Sequence, residues 1–144
     1  MRKTLLTAAA LTLTALALPA DAQVRPGQRQ YTTISQHSPG QFQTALNAAQ
    51  DALKSGEARE FRILVNGRGV LLLLPGTTTS QKDWARTVPR TRGLTVVACK
   101  EVIDRLVKGN RGRRPPLLPG TRIEPCAGSM RKLDAAGWYR VPGL

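Results

Sequence analysis

The chain has 144 residues and a formal net charge of +13, with 22 Lys and Arg against 9 Asp and Glu and only 4% aromatic residues. That length holds one domain able to bury a core and is too short for two. The charge favours anionic partners, but the scarcity of aromatic platforms and of any nucleic-acid motif argues against nucleic acid. Small anions, an acidic protein partner or an anionic membrane surface remain, and a solvated basic face serving solubility accounts for the same charge.

Residues 1–22 read as a signal peptide. Arg2 and Lys3 form a positive start, Leu5 to Leu18 is an unbroken run of Leu, Ala and Thr, and Ala20 and Ala22 give a small-x-small cleavage site. The run is shorter than the roughly 20 residues of a membrane span, so the expectation is cleavage after Ala22, a periplasmic or secreted product and no transmembrane span afterwards. Losing Arg2, Lys3 and Asp21 takes the net charge from +13 to +12, so the cationic character belongs to the mature part. Residues 23–29 read as a flexible lead-in and 30–144 as the domain.

"QYTTIS" at 30–35 is β-branched and aromatic and predicts a strand ending near His37. A helix follows, with Ser38 as cap, Pro39 at its first position and Gln41 at the capping-box distance. Phe42, Leu46, Ala49 and Leu53 recur at helical spacing, and Gly56 stands just past the end. "EFRILVN" at 60–66 predicts a second strand with Phe61, Ile63 and Val65 on one face, and the glycines of "NGRG" a tight exit from it. "VLLLL" at 70–74 fits buried strand or helix alike, and subunit interface as well as core.

A short helix is expected from Ser80 to Thr87, capped by Ser80 and stopped by Pro89. "GLTVVAC" at 93–99 is a third strand, apolar on both faces as in the interior of a parallel sheet. "KEVIDRLVKG" gives a helix with Val102, Ile103, Leu106 and Val107 inward. After the basic loop "NRGRRPP" come a short strand "TRIEP", a helix "SMRKLDAAG" capped by Ser129, and a last strand "WYRV". Alternation of strand and helix predicts an open α/β sheet with right-handed crossovers.

Four stretches in this order, "NGRGVLLLL", "GLTVVACKEVIDRL", "LLPGTRIEP" and "LDAAGWYRV", resemble the DsrE-like (DsrE/DsrF/TusD) sulfur-relay superfamily, in particular its small exported single-domain members. The resemblance spans roughly residues 30 to 142. It implies a flavodoxin-like three-layer fold with a mostly parallel sheet of about five strands, assembly into trimers or hexamers, no organic cofactor, and a cysteine at the end of the strand matching "TVVAC" that carries sulfur as a persulfide. Cys99 falls on that position. Asn66 stands where related exported proteins often have His, and Arg68 where a smaller residue or proline is common; the arginine adds positive charge beside the expected pocket.

With a flavodoxin-like strand order of 2-1-3-4-5, the first and third strands are neighbours, and ligands bind beyond their carboxyl ends. His37 and Cys99 should then face one crevice, with Cys126 just past the fourth strand. A thiol at a helix N-terminus with Lys100 beside it is favoured as thiolate, and His37 is the candidate to move its proton. Arg68, Asn66 and Lys100 are the candidate substrate-binding residues for a sulfur oxyanion or other small anion. Cys99 and Cys126 equally suit a disulfide if their registers match, because adjacent strands lie about 4.8 Å apart and a bond requires Cα atoms about 4.4 to 6.8 Å apart, and export preserves it. No metal site is expected, since the short Cys and His ligand spacings are missing. Two readings therefore stand: an exported DsrE-like protein that binds or carries reduced sulfur, or a non-catalytic assembly or small-anion-binding domain with structural cysteines.

Overall fold

A computed structural model describes residues 25–144; the expected signal peptide lies outside the described residues. Five parallel strands run in the order β4-β3-β2-β1-β5, where β1 is Gln28–Ile34, β2 Ala58–Val65, β3 Leu94–Cys99, β4 Thr121–Glu124 and β5 Tyr139–Arg140. The helices are α1 (Pro39–Ser55), α2 (Gln81–Thr87), α3 (Lys100–Gly109) and α4 (Ser129–Ala135). This is the expected three-layer α/β arrangement.

The strand order is not the expected one. In 2-1-3-4-5 the second strand is an edge, but Phe61, Ile63, Leu64 and Val65 are all at least 96% buried, and an edge strand cannot cover both of its faces. β2 therefore lies between β1 and β3. Right-handed crossovers that step from β1 to β4 in one direction place α1, α2 and α3 on one face, and the return step to β5 places α4 on the other. The chain reverses direction at β1, between β2 and β5.

The main core fills the three-helix face. Phe42, Leu46 and Ala49 of α1 close over Ile34, Phe61, Ile63, Val65 and Val96, with Trp84 and Ile103 alongside. Trp84 sets its ring centroid 4.5 Å from Phe42, and its indole N–H donates to Gln43 Oε1 at 2.6 Å. The α4 face is thinner, with Tyr31, Leu64, Val97, Leu133 and Trp138 as its buried cluster.

Local signals were realised unevenly. Ser38 caps α1, accepting from the Gln41 backbone N–H, and Gly56 ends the helix in the left-handed region at φ 79°. The capping box is half made, because the Gln41 amide donates to the Leu144 carbonyl instead. Ser80 makes no side-chain cap and sits in the helical region. Gln81 does the local work, donating to the Leu72 and Leu74 carbonyls. Pro89 does not end the segment but continues it into a 3-10 turn, Val88–Arg90.

"NGRGVLLL" becomes a 3-10 helix over Gly67–Leu73, so "VLLLL" contributes Val70, Leu72 and Leu73 to the core. Gly69 is required there: a Cβ would stand 2.6 Å from the Ile34 carbonyl oxygen, a backbone atom that cannot yield. The glycine turn packs the end of β2 onto the end of β1.

Candidate functional site

Cys99 is the last residue of β3 and the N-cap of α3. In the parallel register Cys99 stands beside Glu124 of β4, and Cys126 follows two residues later, past Pro125. Both sulfurs therefore leave the carboxyl ends of neighbouring strands. They form a disulfide with the Cα atoms 5.1 Å apart, closing a sequence separation of 27. Cys99 is 1% exposed, whereas Cys126 is half-buried.

A second tie holds the same loop. The Glu101 carboxylate, in the first turn of α3, accepts from the backbone N–H of Cys126 at 3.1 Å and of Ala127 at 3.2 Å. These bonds and one from its own N–H favour the ionised form and lower its pKa below the usual 4.5. Composition alone explains Glu101 by the helix dipole; the fold gives it the further task of anchoring the segment that carries Cys126. Its carboxylate and the two sulfurs lie within 4.8 Å of one another, but each sulfur is bonded to the other and neither is a thiolate ligand.

The disulfide lines a cavity of about 220 Å³ on the α4 side of the sheet, together with Thr33, Ser35, Asn66, Ser129, Met130 and Arg140. Arg140 comes from β5, where it pairs in register with Tyr31 of β1. A larger, mainly apolar cavity of about 350 Å³ lies between Leu73, Ala85 and Leu117, remote from both cysteines in its lining.

Of the residues expected to act together, the fold gathers some and separates others. Asn66 lines the cavity, and its side-chain oxygen accepts from the Gly67 N–H. His37 does not line it. It is exposed, three residues beyond β1, and β2 intervenes between β1 and β3, a displacement of about 5 Å more than direct neighbours would have. The cavity does join the end of β1, through Thr33 and Ser35, to Cys99, but the expected place of His37 in it is not realised, because His37 lies beyond Ser35 on the exposed chain leading into α1. Arg68 is exposed on the 3-10 helix and absent from the cavity lining. Lys100 turns along α3 and donates to Asp104 Oδ2 at 2.6 Å, an exposed pair. The basic group at the cavity is Arg140, which sequence reading missed because nothing local places a two-residue strand beside β1.

The α4 face is strongly basic beyond the cavity. The guanidinium carbons of Arg29 and Arg62 lie 5.2 and 5.0 Å from the Trp138 ring, and Arg62 also pairs with Glu124 at 3.4 Å. Tyr31, fully buried under α4, donates its hydroxyl to Asp134 Oδ1 at 2.6 Å. Burial and that bond push its pKa up to about 12.

No protein-family model matches the chain, and no curated protein matches it. Among solved structures it is similar to the protein of unknown function MTH1491 from Methanobacterium thermoautotrophicum, with a TM-score of 0.63 at 14% identity over 79% of this chain and 97% of that one. It is also similar to the ychN protein of E. coli, with a TM-score of 0.55 at 12% identity over 79% of this chain and 100% of that one. At such identities the likeness is one of fold, and it agrees with the parallel sheet flanked by helices described above.

Proposed function

We propose that this chain is an exported carrier of reduced sulfur, loaded and emptied through the Cys99–Cys126 pair. The supporting observation is the disulfide at the carboxyl edge, with one sulfur buried at a helix N-terminus and the other half-buried beside a small cavity. In the oxidised protein no free cysteine is present among the described residues, so sulfur enters by opening the bond. Hydrosulfide attacks Cys126 Sγ, the more accessible atom. The Cys99–Cys126 bond breaks, and its electron pair leaves on Cys99, where the positive end of α3 stabilises thiolate and makes it the better leaving group. The product is a Cys126 persulfide and a Cys99 thiolate, with the disulfide itself as the oxidant.

Return is equally simple. The Cys99 thiolate attacks the inner sulfur of the persulfide, expels hydrosulfide and restores the disulfide. An oxidising compartment beyond the 1–22 leader would keep the resting pair bonded. This reading moves the sulfur from Cys99, the position the DsrE-like resemblance picks out, to Cys126, and it gives His37 no part.

A second reading, a structural disulfide in an assembly or anion-binding domain, draws support from the Glu101 clasp, which fastens the same loop. One experiment separates the two. The oxidised protein is treated with sodium sulfide, quenched with an alkylating agent and mapped by mass spectrometry. Carriage predicts one added sulfur atom on the Cys126 peptide and an alkylated Cys99; an intact disulfide at high sulfide establishes the structural role.

A further inference from the structure

We infer that the cavity beside the disulfide is an oxyanion subsite built around Arg140, and that the sulfur nucleophile it admits is a small sulfur oxyanion, sulfite being the smallest. The inference rests on the proposal that the disulfide opens to sulfur nucleophiles, and it adds which class is selected.

Arg140 is the one charged residue in the lining of that cavity; the rest is Thr33, Ser35, Ser129 and Asn66, with Leu64, Met130 and the two cysteines. Hydroxyls, an amide and one guanidinium supply donors to an anion, and the lining holds no carboxylate to pair with a cation. Among the described residues Arg140 makes no ion pair and no hydrogen bond through its side chain. The carboxylates of this side are engaged elsewhere: Asp134 accepts from Tyr31, Glu124 pairs with Arg62, and Glu101 accepts from the amides of Cys126 and Ala127. The cavity, about 220 Å³, suits an ion of a few heavy atoms. Its place agrees with the topology, because the chain reverses at β1, between β2 and β5, and ligands of open α/β sheets bind beyond the carboxyl ends at such a point. What distinguishes it from a plain anion site is the electrophile in its wall, the disulfide.

The step balances without another reactant. The lone pair on the sulfite sulfur forms a bond to Cys126 Sγ, and the Cys99–Cys126 bond breaks with its electron pair going to Cys99. Cys126 becomes an S-sulfonate and Cys99 a thiolate, so the two negative charges of sulfite reappear as one on each cysteine. No proton is taken up. Attack of the Cys99 thiolate on Cys126 Sγ runs the step backwards and releases sulfite.

The test uses the oxidised full chain as wild type, Arg140→Gln and Arg140→Lys, at a pH where sulfite is the dianion. Disulfide opening is timed with sulfite, with hydrosulfide and with an uncharged nucleophile, tris(hydroxypropyl)phosphine, and the Cys126 peptide is weighed. The expected result is a drop of about tenfold in the sulfite rate for Arg140→Gln, from loss of one charge-assisted contact. The phosphine rate stays unchanged, Arg140→Lys keeps most of the sulfite rate, and the sulfonate is found on Cys126. Added salt should narrow the gap between wild type and Arg140→Gln. If hydrosulfide opens the pair but Arg140→Gln leaves the sulfite rate alone, or slows the phosphine as much, the oxyanion subsite is refuted while sulfur carriage stands. If hydrosulfide fails but sulfite opens the pair with the stated Arg140 dependence, carriage is refuted and the subsite stands. If no nucleophile opens it, both are refuted.

Discussion

On one face of the sheet, three helices press Phe42, Leu46, Trp84 and Ile103 onto the apolar side chains of β1, β2 and β3. On the other, the seven-residue α4 covers a small cluster around Tyr31 and Trp138, and Arg29, Arg62 and Arg140 surround it. The first face carries the burial that stabilises the fold, roughly in proportion to the apolar area removed from water. The second leaves room for the small polar cavity, the more exposed cysteine and the unpaired guanidinium. Stability and chemistry are thus divided between the two sides of one sheet, with Cys99 at the seam: it belongs to the main core, while its partner Cys126 packs against both clusters.

That division can be broken by experiment. Trp84→Ala should cost about 4 kcal/mol in urea melts, because it opens a large cavity in the dense face and orphans the Gln43 side chain. Leu133→Ala on the α4 face should cost about 2 kcal/mol, since a short helix at the rim can settle into the space. Equal losses would mean that the two faces contribute alike.

Reducing the disulfide should lower stability by about 3.5 kcal/mol, the loop-closure entropy for a separation of this size. A loss near zero would mean that the Glu101 clasp already holds the loop. The clasp has its own signature: because Glu101 has a lowered pKa when folded, its contribution is present above pH 4.5 and lost as pH falls through the lowered value. Acid melts of Glu101→Gln should lack that component.

Tyr31→Phe should cost about 1–2 kcal/mol through loss of the bond to Asp134. The tyrosine's folded pKa is raised from 10.0 to about 12, so the wild type keeps this stabilisation below pH 10 and loses it as pH climbs toward 12. The Phe variant should show a flatter alkaline limb, and two parallel limbs would remove Tyr31 from the account. The smallest effect is expected at Arg86→Ala, within about 0.5 kcal/mol, since its pair with Asp83 is solvent-exposed on both sides.

Much of the fold is legible in the chain itself. Ser38, Pro39 and Gly56 bound α1, and the apolar positions of α1, β2 and β3 point to the face they bury, because capping and periodicity act over a few residues. The failures have one character. The Ser80 cap gives way to Gln81, and the Gln41 side chain is drawn to Leu144, where a distant carbonyl competes with a local one. "VLLLL" has no period that tells strand from helix, and the approach of Ile34 to Gly69 settles its path.

The site divides in the same way. Residue type and position along the chain determined that Cys99 ends a buried strand at the start of a helix and that Cys126 closely follows the next strand, while the register that joins them belongs to the sheet. Only the tertiary structure decided that β2 stands between His37 and that pair, and that Arg140 of a two-residue strand comes to the cavity in place of Arg68. The physical reason is that strand order is set by which strand must be covered on both faces and by the hand of the crossovers. Those are properties of the assembled sheet, and no stretch of the chain contains them alone.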